Sequence, residues 1–100
     1  MDINVQELKQ KLDAKEDFVF IDVRENHEYE EFNLGAKLIP LGNIMDAIAD
    51  LEQYKESEIV IHCRSGQRSG MAQHMLSEAG FKNVRNLTGG VLEWKEAFPS

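Results

Sequence analysis

The single cysteine of this 100-residue chain lies in the run His62-Cys63-Arg64-Ser65-Gly66-Gln67-Arg68-Ser69-Gly70. A cysteine reacts as its thiolate, so the question is what in this run could hold the sulfur ionised. Residues Arg64 to Ser69 include no proline, so every one of them offers a backbone N–H. Successive N–H groups curling around one point make an anion nest, and a following helix adds the positive end of its dipole. Gly66 allows a backbone conformation that a side chain would forbid. A cysteine so placed has its pKa lowered from about 8.5 into a range of roughly 3.5 to 7.5. It would then be mostly thiolate at neutral pH, and the same cradle would stabilise a terminal sulfur anion carried on it.

The competing reading of Cys63 is structural, because a lone cysteine is more often an inert buried hydrophobe than a nucleophile. An inert cysteine has no need of a glycine, two serines and two arginines directly after it, and that context favours chemistry. The candidate site is therefore Cys63 as catalytic residue, with Arg64, Ser65, Gly66, Gln67, Arg68 and Ser69 as substrate-binding residues. Arg64 and Arg68 bring fixed positive charge that dominates the local field within a Debye length of about 8 Å. As surface ion pairs they would be worth little, and the site role is favoured for Arg68 ahead of Arg64. The hydroxyls of Ser65 and Ser69 can donate to an anion, although Ser69 could equally cap a helix; Gln67 is uninformative alone.

His62 is the tempting general base. Adjacent residues of a strand point to opposite faces, so it cannot easily reach the Cys63 sulfur and reads as a packed structural histidine. His27 and His74 read as helix-surface residues. No combination of these with Cys63 has a zinc spacing, so neither metal nor cofactor is expected. Asp22 and Arg24 read as a structural ion pair at a strand end.

These residues need a scaffold. Val5, Leu8 and Leu12 predict an amphipathic helix from about Val5 to Lys15, with Asn4 as N-cap. Phe18-Val19-Phe20-Ile21 is a short apolar run of the kind covered on both faces. A short helix is expected from Asn26, as its cap, to Phe32. A brief strand follows over Lys37–Leu41, then a helix over Ile44–Tyr54. Ile59-Val60-Ile61 is the strongest strand signal. A helix over Arg68–Ala79 should follow the Cys63 loop, with Gly80 in the C-terminal cap position. The remainder predicts a strand at Val84–Leu87, a turn at Gly89-Gly90, and a helix over Val91–Phe98 with Val91, Trp94 and Phe98 facing the core. Such alternation implies a mainly parallel sheet with helices on both faces. Ligands collect at the carboxyl ends of the strands in such sheets, so Asp22-Val23-Arg24, Cys63-Arg64 and Thr88-Gly89-Gly90 should converge on one edge.

Composition limits the partners. The formal net charge of −7 argues against nucleic acid or an anionic membrane, and no apolar run approaches the roughly 18 residues of a membrane span. Residues 1–100 read as one domain without repeat or linker. The charged N-terminal stretch lacks the apolar core of a signal peptide. One cysteine allows no internal disulfide and fits a reducing, cytoplasmic setting. It also means that whatever Cys63 carries must be handed to another molecule.

Several segments in order are similar to a known family. They are Ile21-Asp22-Val23-Arg24, Glu28 to Pro40 (EYEEFNLGAKLIP), Val60 to Gly70 with its Cys-Arg-Ser-Gly-Gln-Arg-Ser loop, Ala79-Gly80-Phe81-x-Asn83-Val84, and Leu87-x-Gly89-Gly90-x-x-x-Trp94. The chain resembles a single-domain rhodanese, a persulfide-forming sulfurtransferase. The resemblance implies an α/β fold, a five-stranded parallel sheet flanked by helices on both faces. It also implies transfer of a sulfane sulfur from a small anionic donor such as thiosulfate to a thiophilic acceptor. That acceptor could be cyanide, a small thiol, a thioredoxin-like protein or another sulfur carrier. One departure stands out: the family usually has Gly-His-Ile before its Gly-Ala, and here the residues are Phe32-Asn33-Leu34.

Cysteine phosphatases and arsenate reductases also place His-Cys at a strand end before an anion-binding loop. Their loop has five residues between Cys and Arg, sized for a tetrahedral oxyanion and a bidentate arginine. Four residues separate Cys63 from Arg68, a smaller loop that suits one added sulfur atom better. A third reading, a binding module that keeps the fold without catalysis, would be favoured by loss of the cysteine, which is present.

Overall fold

Ile59, Val60 and Ile61 are all fully buried, yet they serve two different cores. Side chains alternate along a strand, so Ile59 and Ile61 face one layer of helices while Val60 faces the other. The same parity runs through Phe18–Ile21: Val19 and Ile21 join the first core, Phe18 and Phe20 the second. A sheet covered on both faces thus explains both continuous apolar runs.

The structure, a computed structural model, describes residues 1–99. Four parallel strands, β1 (Val19–Asp22), β2 (Lys37–Leu38), β3 (Glu58–His62) and β4 (Asn83–Asn86), lie in the order β2-β1-β3-β4. The helices are α1 (Val5–Asp13), α2 (Asn26–Glu31), α3 (Ile44–Leu51), α4 (Gln67–Glu78) and α5 (Gly90–Ala97). Helices α3 and α4 cover the face of Ile59 and Ile61, with Ile44, Leu51, Ala72 and Leu76 buried there. Val5 and Leu8 of α1, with Trp94 of α5 and Phe98 just after it, cover the other face.

The sheet has four strands where the resemblance implied five. Ile3 makes one parallel bridge to Leu87, its N–H donating to Asn86 and its carbonyl accepting from Thr88, each at 3.0 Å. The pairing stops there because Asn4 turns the chain at once into α1. Its Oδ1 accepts the Glu7 N–H at 2.8 Å and Glu7 Oε1 accepts the Asn4 N–H at 3.0 Å, a closed capping box.

Other boundaries shift for local reasons. Strand β2 is shorter than Lys37–Leu41: Ile39 and Leu41 still donate to the carbonyls of Asp22 and Val23, at 2.8 and 3.0 Å, but the register slips by one residue across Pro40. The helix expected to Tyr54 ends at Leu51 and finishes as a 3-10 turn over Glu52–Tyr54. Asn26 is not the cap of α2 but lies inside it; Glu25 occupies the cap position, its N–H donating to Glu28 Oε1 at 3.0 Å. Gly80 follows α4 as expected, with the Phe81 N–H on the Leu76 carbonyl and the Gly80 N–H on that of Ser77.

Candidate active site

Cys63 leaves β3 directly into the loop, and α4 starts at Gln67. Its sulfur lies on the face of Ile59 and Ile61, and the residue is buried. Gly66, at φ +100°, turns the chain so that its own N–H donates to Sγ at 3.1 Å. The Ser69 N–H and the Ser69 hydroxyl each lie 3.4 Å from Sγ. Burial alone pushes the thiol up; the Ser69 hydroxyl and the N–H groups of Ser69, Gly66 and Ser65 outweigh it and bring the pKa below the ordinary value. The N–H groups of Gln67 and Arg68, in the first turn of α4, have no partner within the helix.

The loop is clamped from α5. Val91 and Leu92 donate their N–H groups to the carbonyls of Cys63 and Arg64, at 3.1 and 3.0 Å. Gly90 makes this approach possible: a Cβ there would stand 2.5 Å from the Arg64 oxygen and 2.6 Å from that of Cys63. The apposition of Thr88-Gly89-Gly90 to the Cys63 loop follows the convergence expected from the sheet.

The third converging segment supplies the frame. Arg24 holds Asp22 through Nε at 3.0 Å and Nη2 at 2.8 Å, both side chains buried. The same guanidinium donates to the carbonyls of Phe32 at 2.6 Å and Glu28 at 3.4 Å, and so fixes α2 against the end of β1. Glu28 in turn takes Arg68, with Nη1 on Oε1 at 2.7 Å and Nη2 on Oε2 at 2.9 Å. The Arg68 guanidinium holds the Glu28 carboxyl at about 2, far below its ordinary 4.5. His62 points away from Cys63 Sγ, its Nε2 3.6 Å from Asp22 Oδ2 and its ring beside Phe20. Burial lowers its pKa.

The chain matches the Rhodanese-like domain family over residues 4–97. It belongs to the rhodanese-like family. This rhodanese-like domain is 38% identical over 94 residues to Bacillus subtilis YrkF, provisionally named a sulfur carrier protein, covering 93% of the chain and 50% of YrkF. It thus spans half the length of that relative. It is 38% identical over 95 residues to Bacillus subtilis YtwF, provisionally named a sulfurtransferase, covering 94% of the chain and 89% of YtwF. A crystal structure of a rhodanese-like domain protein from Staphylococcus aureus superposes with a TM-score of 0.80 at 32% identity, covering 94% and 91% of the two chains.

The rhodanese-like loop brings Ser65, Gly66 and Ser69 onto the sulfur, while Arg64 and Gln67 are exposed. It does not leave Arg68 free, because Glu28 occupies both its Nη atoms. Arg64 is exposed and borders, with Lys95, Leu92 and Phe32, an open pocket of about 230 Å³ beside the loop. Another cavity, of about 580 Å³, lies where β1 and β3 begin, at the opposite end of the sheet from Cys63. Among the described residues no group of three His, Cys, Asp or Glu could hold a metal ion, and no helix is long and apolar enough to cross a membrane.

Two residues of the site went unread in the sequence. Glu28 sits forty positions from its arginine, and no local pattern joins them. Asn86 donates through Nδ2 to the Gly66 carbonyl at 3.1 Å and accepts from the Ser69 hydroxyl. An asparagine inside the expected strand Val84–Leu87, where that residue is depleted, was the available signal. At the departure Phe32-Asn33-Leu34, Asn33 closes the turn itself: Nδ2 donates to the Tyr29 carbonyl at 3.1 Å and Oδ1 accepts the Gly35 N–H at 2.9 Å.

Proposed function

We propose that the chain is a sulfurtransferase that moves a sulfane sulfur from a small anionic donor, thiosulfate first, to a thiophilic acceptor through a persulfide on Cys63. The observation that carries this reading is the cradle itself: a buried sulfur receiving N–H groups from Gly66 and Ser69 at the head of α4. The names of YtwF and YrkF support the same chemistry.

In the first half-reaction the Cys63 thiolate attacks the outer sulfur of thiosulfate. A new S–S bond forms, the donor S–S bond breaks, and sulfite departs with its electron pair. The outer persulfide sulfur, anionic, meets the free N–H groups of Gln67 and Arg68 and the Ser65 hydroxyl. Arg64, exposed beside the loop, draws the donor towards an otherwise acidic protein. Arg68 contributes an attenuated charge, since Glu28 neutralises it. In the second half-reaction cyanide, a thiol or a sulfur-carrier protein attacks the outer sulfur, and Cys63 leaves as thiolate. Its donors Gly66 and Ser69 stabilise it again.

The spacing speaks against a phosphatase: four residues separate Cys63 from Arg68, one fewer than a loop sized for a tetrahedral oxyanion, and Glu28 already takes one bidentate edge of the guanidinium. A thiocyanate-release assay with thiosulfate and cyanide tests the reading against Cys63→Ser. The wild type should turn over with ping-pong kinetics and the variant should be silent. Turnover retained in Cys63→Ser would remove Cys63 from the mechanism.

A further inference from the structure

Ser69 has one hydroxyl hydrogen and two buried acceptors within its reach. Its Oγ stands 3.4 Å from Cys63 Sγ and 2.5 Å from Asn86 Oδ1. Asn86 is not free to turn away. Its Nδ2 donates to the Gly66 carbonyl, which fixes the amide with Oδ1 towards Ser69. Its backbone is in register with Ile61, and its carbonyl accepts the Ile3 N–H at 3.0 Å. Both Ser69 and Asn86 are buried, so water does not settle the competition between the two acceptors.

The state of the sulfur settles it. A thiol, or the inner sulfur of a persulfide, is a weak acceptor, and beside it the amide oxygen keeps the hydrogen. An ionised sulfur is a strong acceptor, and charge-assisted bonds are roughly twice as strong as neutral ones. When the hydroxyl swings to the thiolate, Asn86 Oδ1 is left without a donor in the interior, which carries its own cost.

We propose that Asn86 is a positioning residue for the sulfur chemistry: it holds the Ser69 hydroxyl hydrogen while Cys63 is protonated or sulfur-loaded, and yields it when the sulfur is a thiolate. The sulfur-loaded half of this statement rests on the sulfurtransferase reading; the exchange between thiol and thiolate does not. A sign follows. Asn86 competes for a hydrogen that stabilises the thiolate, so removing its amide makes the thiolate easier to form. A mere tether of the loop would do the reverse, because loosening the Gly66 carbonyl would slacken the nest. The charged groups around Cys63 are Arg64 of the loop with Lys95 of α5 beside it, Arg68 of α4 with Glu28 of α2 upon it and Glu25 near, and Asp22 and Arg24 of the β1 end beyond His62. None is touched by the substitutions below.

The test is the pH profile of Cys63 alkylation by iodoacetamide in the full chain, for wild type, Asn86→Ala, Ser69→Ala and the double variant. Asn86→Ala should shift the profile to lower pH. On the rising limb it should react about three- to tenfold faster than wild type, the worth of the one neutral Ser69–Asn86 hydrogen bond that no longer competes. Ser69→Ala should shift the profile the opposite way by a similar factor, and adding Asn86→Ala to it should change nothing further. Asn86→Val, apolar and suited to a strand, repeats the measurement should the alanine variant fail to fold. A profile unmoved or moved to higher pH in the Asn86 variant overturns the proposal, as does an equal effect with and without the Ser69 hydroxyl. Alkylation needs no sulfur donor. A chain that gives these profiles yet takes no sulfur from thiosulfate would refute the sulfurtransferase reading and leave the Asn86 exchange standing.

Discussion

The Arg68 guanidinium and the Glu28 carboxylate, forty residues apart, meet as a parallel fork at 2.7 and 2.9 Å. The arginine that the loop sequence offers to a substrate is thus already paired. Glu28 holds it from α2, and Arg24 holds α2 from the end of β1. The fork makes Glu28 a restraint on how strongly the loop attracts an anion.

Glu28→Gln should therefore favour an anionic donor. It leaves the Arg68 charge uncompensated near the sulfur, so KM for thiosulfate should fall about three- to tenfold at low salt, with less effect at high salt. Steady-state kinetics at two ionic strengths checks this. A higher KM, or a fall independent of salt, would mean that the fork serves loop geometry instead.

The same pair sets an acid limit. The Glu28 pKa is lowered from 4.5 to about 2 when the chain folds, chiefly by the Arg68 bonds. Its contribution to stability is therefore complete above pH 4.5 and is lost as the pH falls towards about 2. Urea midpoints between pH 6 and pH 3 should fall more steeply in wild type than in Glu28→Gln. Parallel slopes would show that the carboxylate gains nothing from its partner.

Arg64, exposed and bordering the pocket beside the loop with Lys95, is the loop's own cation for steering. Arg64→Ala should lower kcat/KM for thiosulfate about three- to tenfold at low salt and affect a neutral persulfide donor much less. Equal losses for the two donors would refute a steering role.

The clamp between α5 and the loop depends on Gly90. Its positive φ and the 2.5 Å approach of a Cβ to the Arg64 oxygen both penalise a side chain. Gly90→Ala should lose about 2–4 kcal/mol of stability, since backbone atoms must move apart. Chemical denaturation reads this directly, and a loss under about 1 kcal/mol would show that the loop yields easily.

Much of this was legible before any coordinates. Alternating parity along Phe18–Ile21 and Ile59–Ile61 dictates a two-faced sheet, and the position of Cys63 just past β3 puts its sulfur at the ligand-binding edge. The same parity removes His62 from the chemistry. What stayed hidden is what no local pattern records. The choice of Glu28 for Arg68, and of Asn86 for Ser69, comes from packing separate elements together. The residues themselves predict the four strands observed; the fifth was implied by the resemblance alone, and at Asn4 a capping box competes with strand extension, so the cap prevails after one bridged residue.

The central claim is that the Cys63 sulfur is a nucleophile that accepts and gives up one sulfur atom. Intact-mass spectrometry after incubation with thiosulfate, with and without later cyanide, tests it most directly. The account predicts a gain of one sulfur atom, absent in Cys63→Ala and removed by cyanide. A mass unchanged by thiosulfate, or a gain that persists in Cys63→Ala, would contradict it.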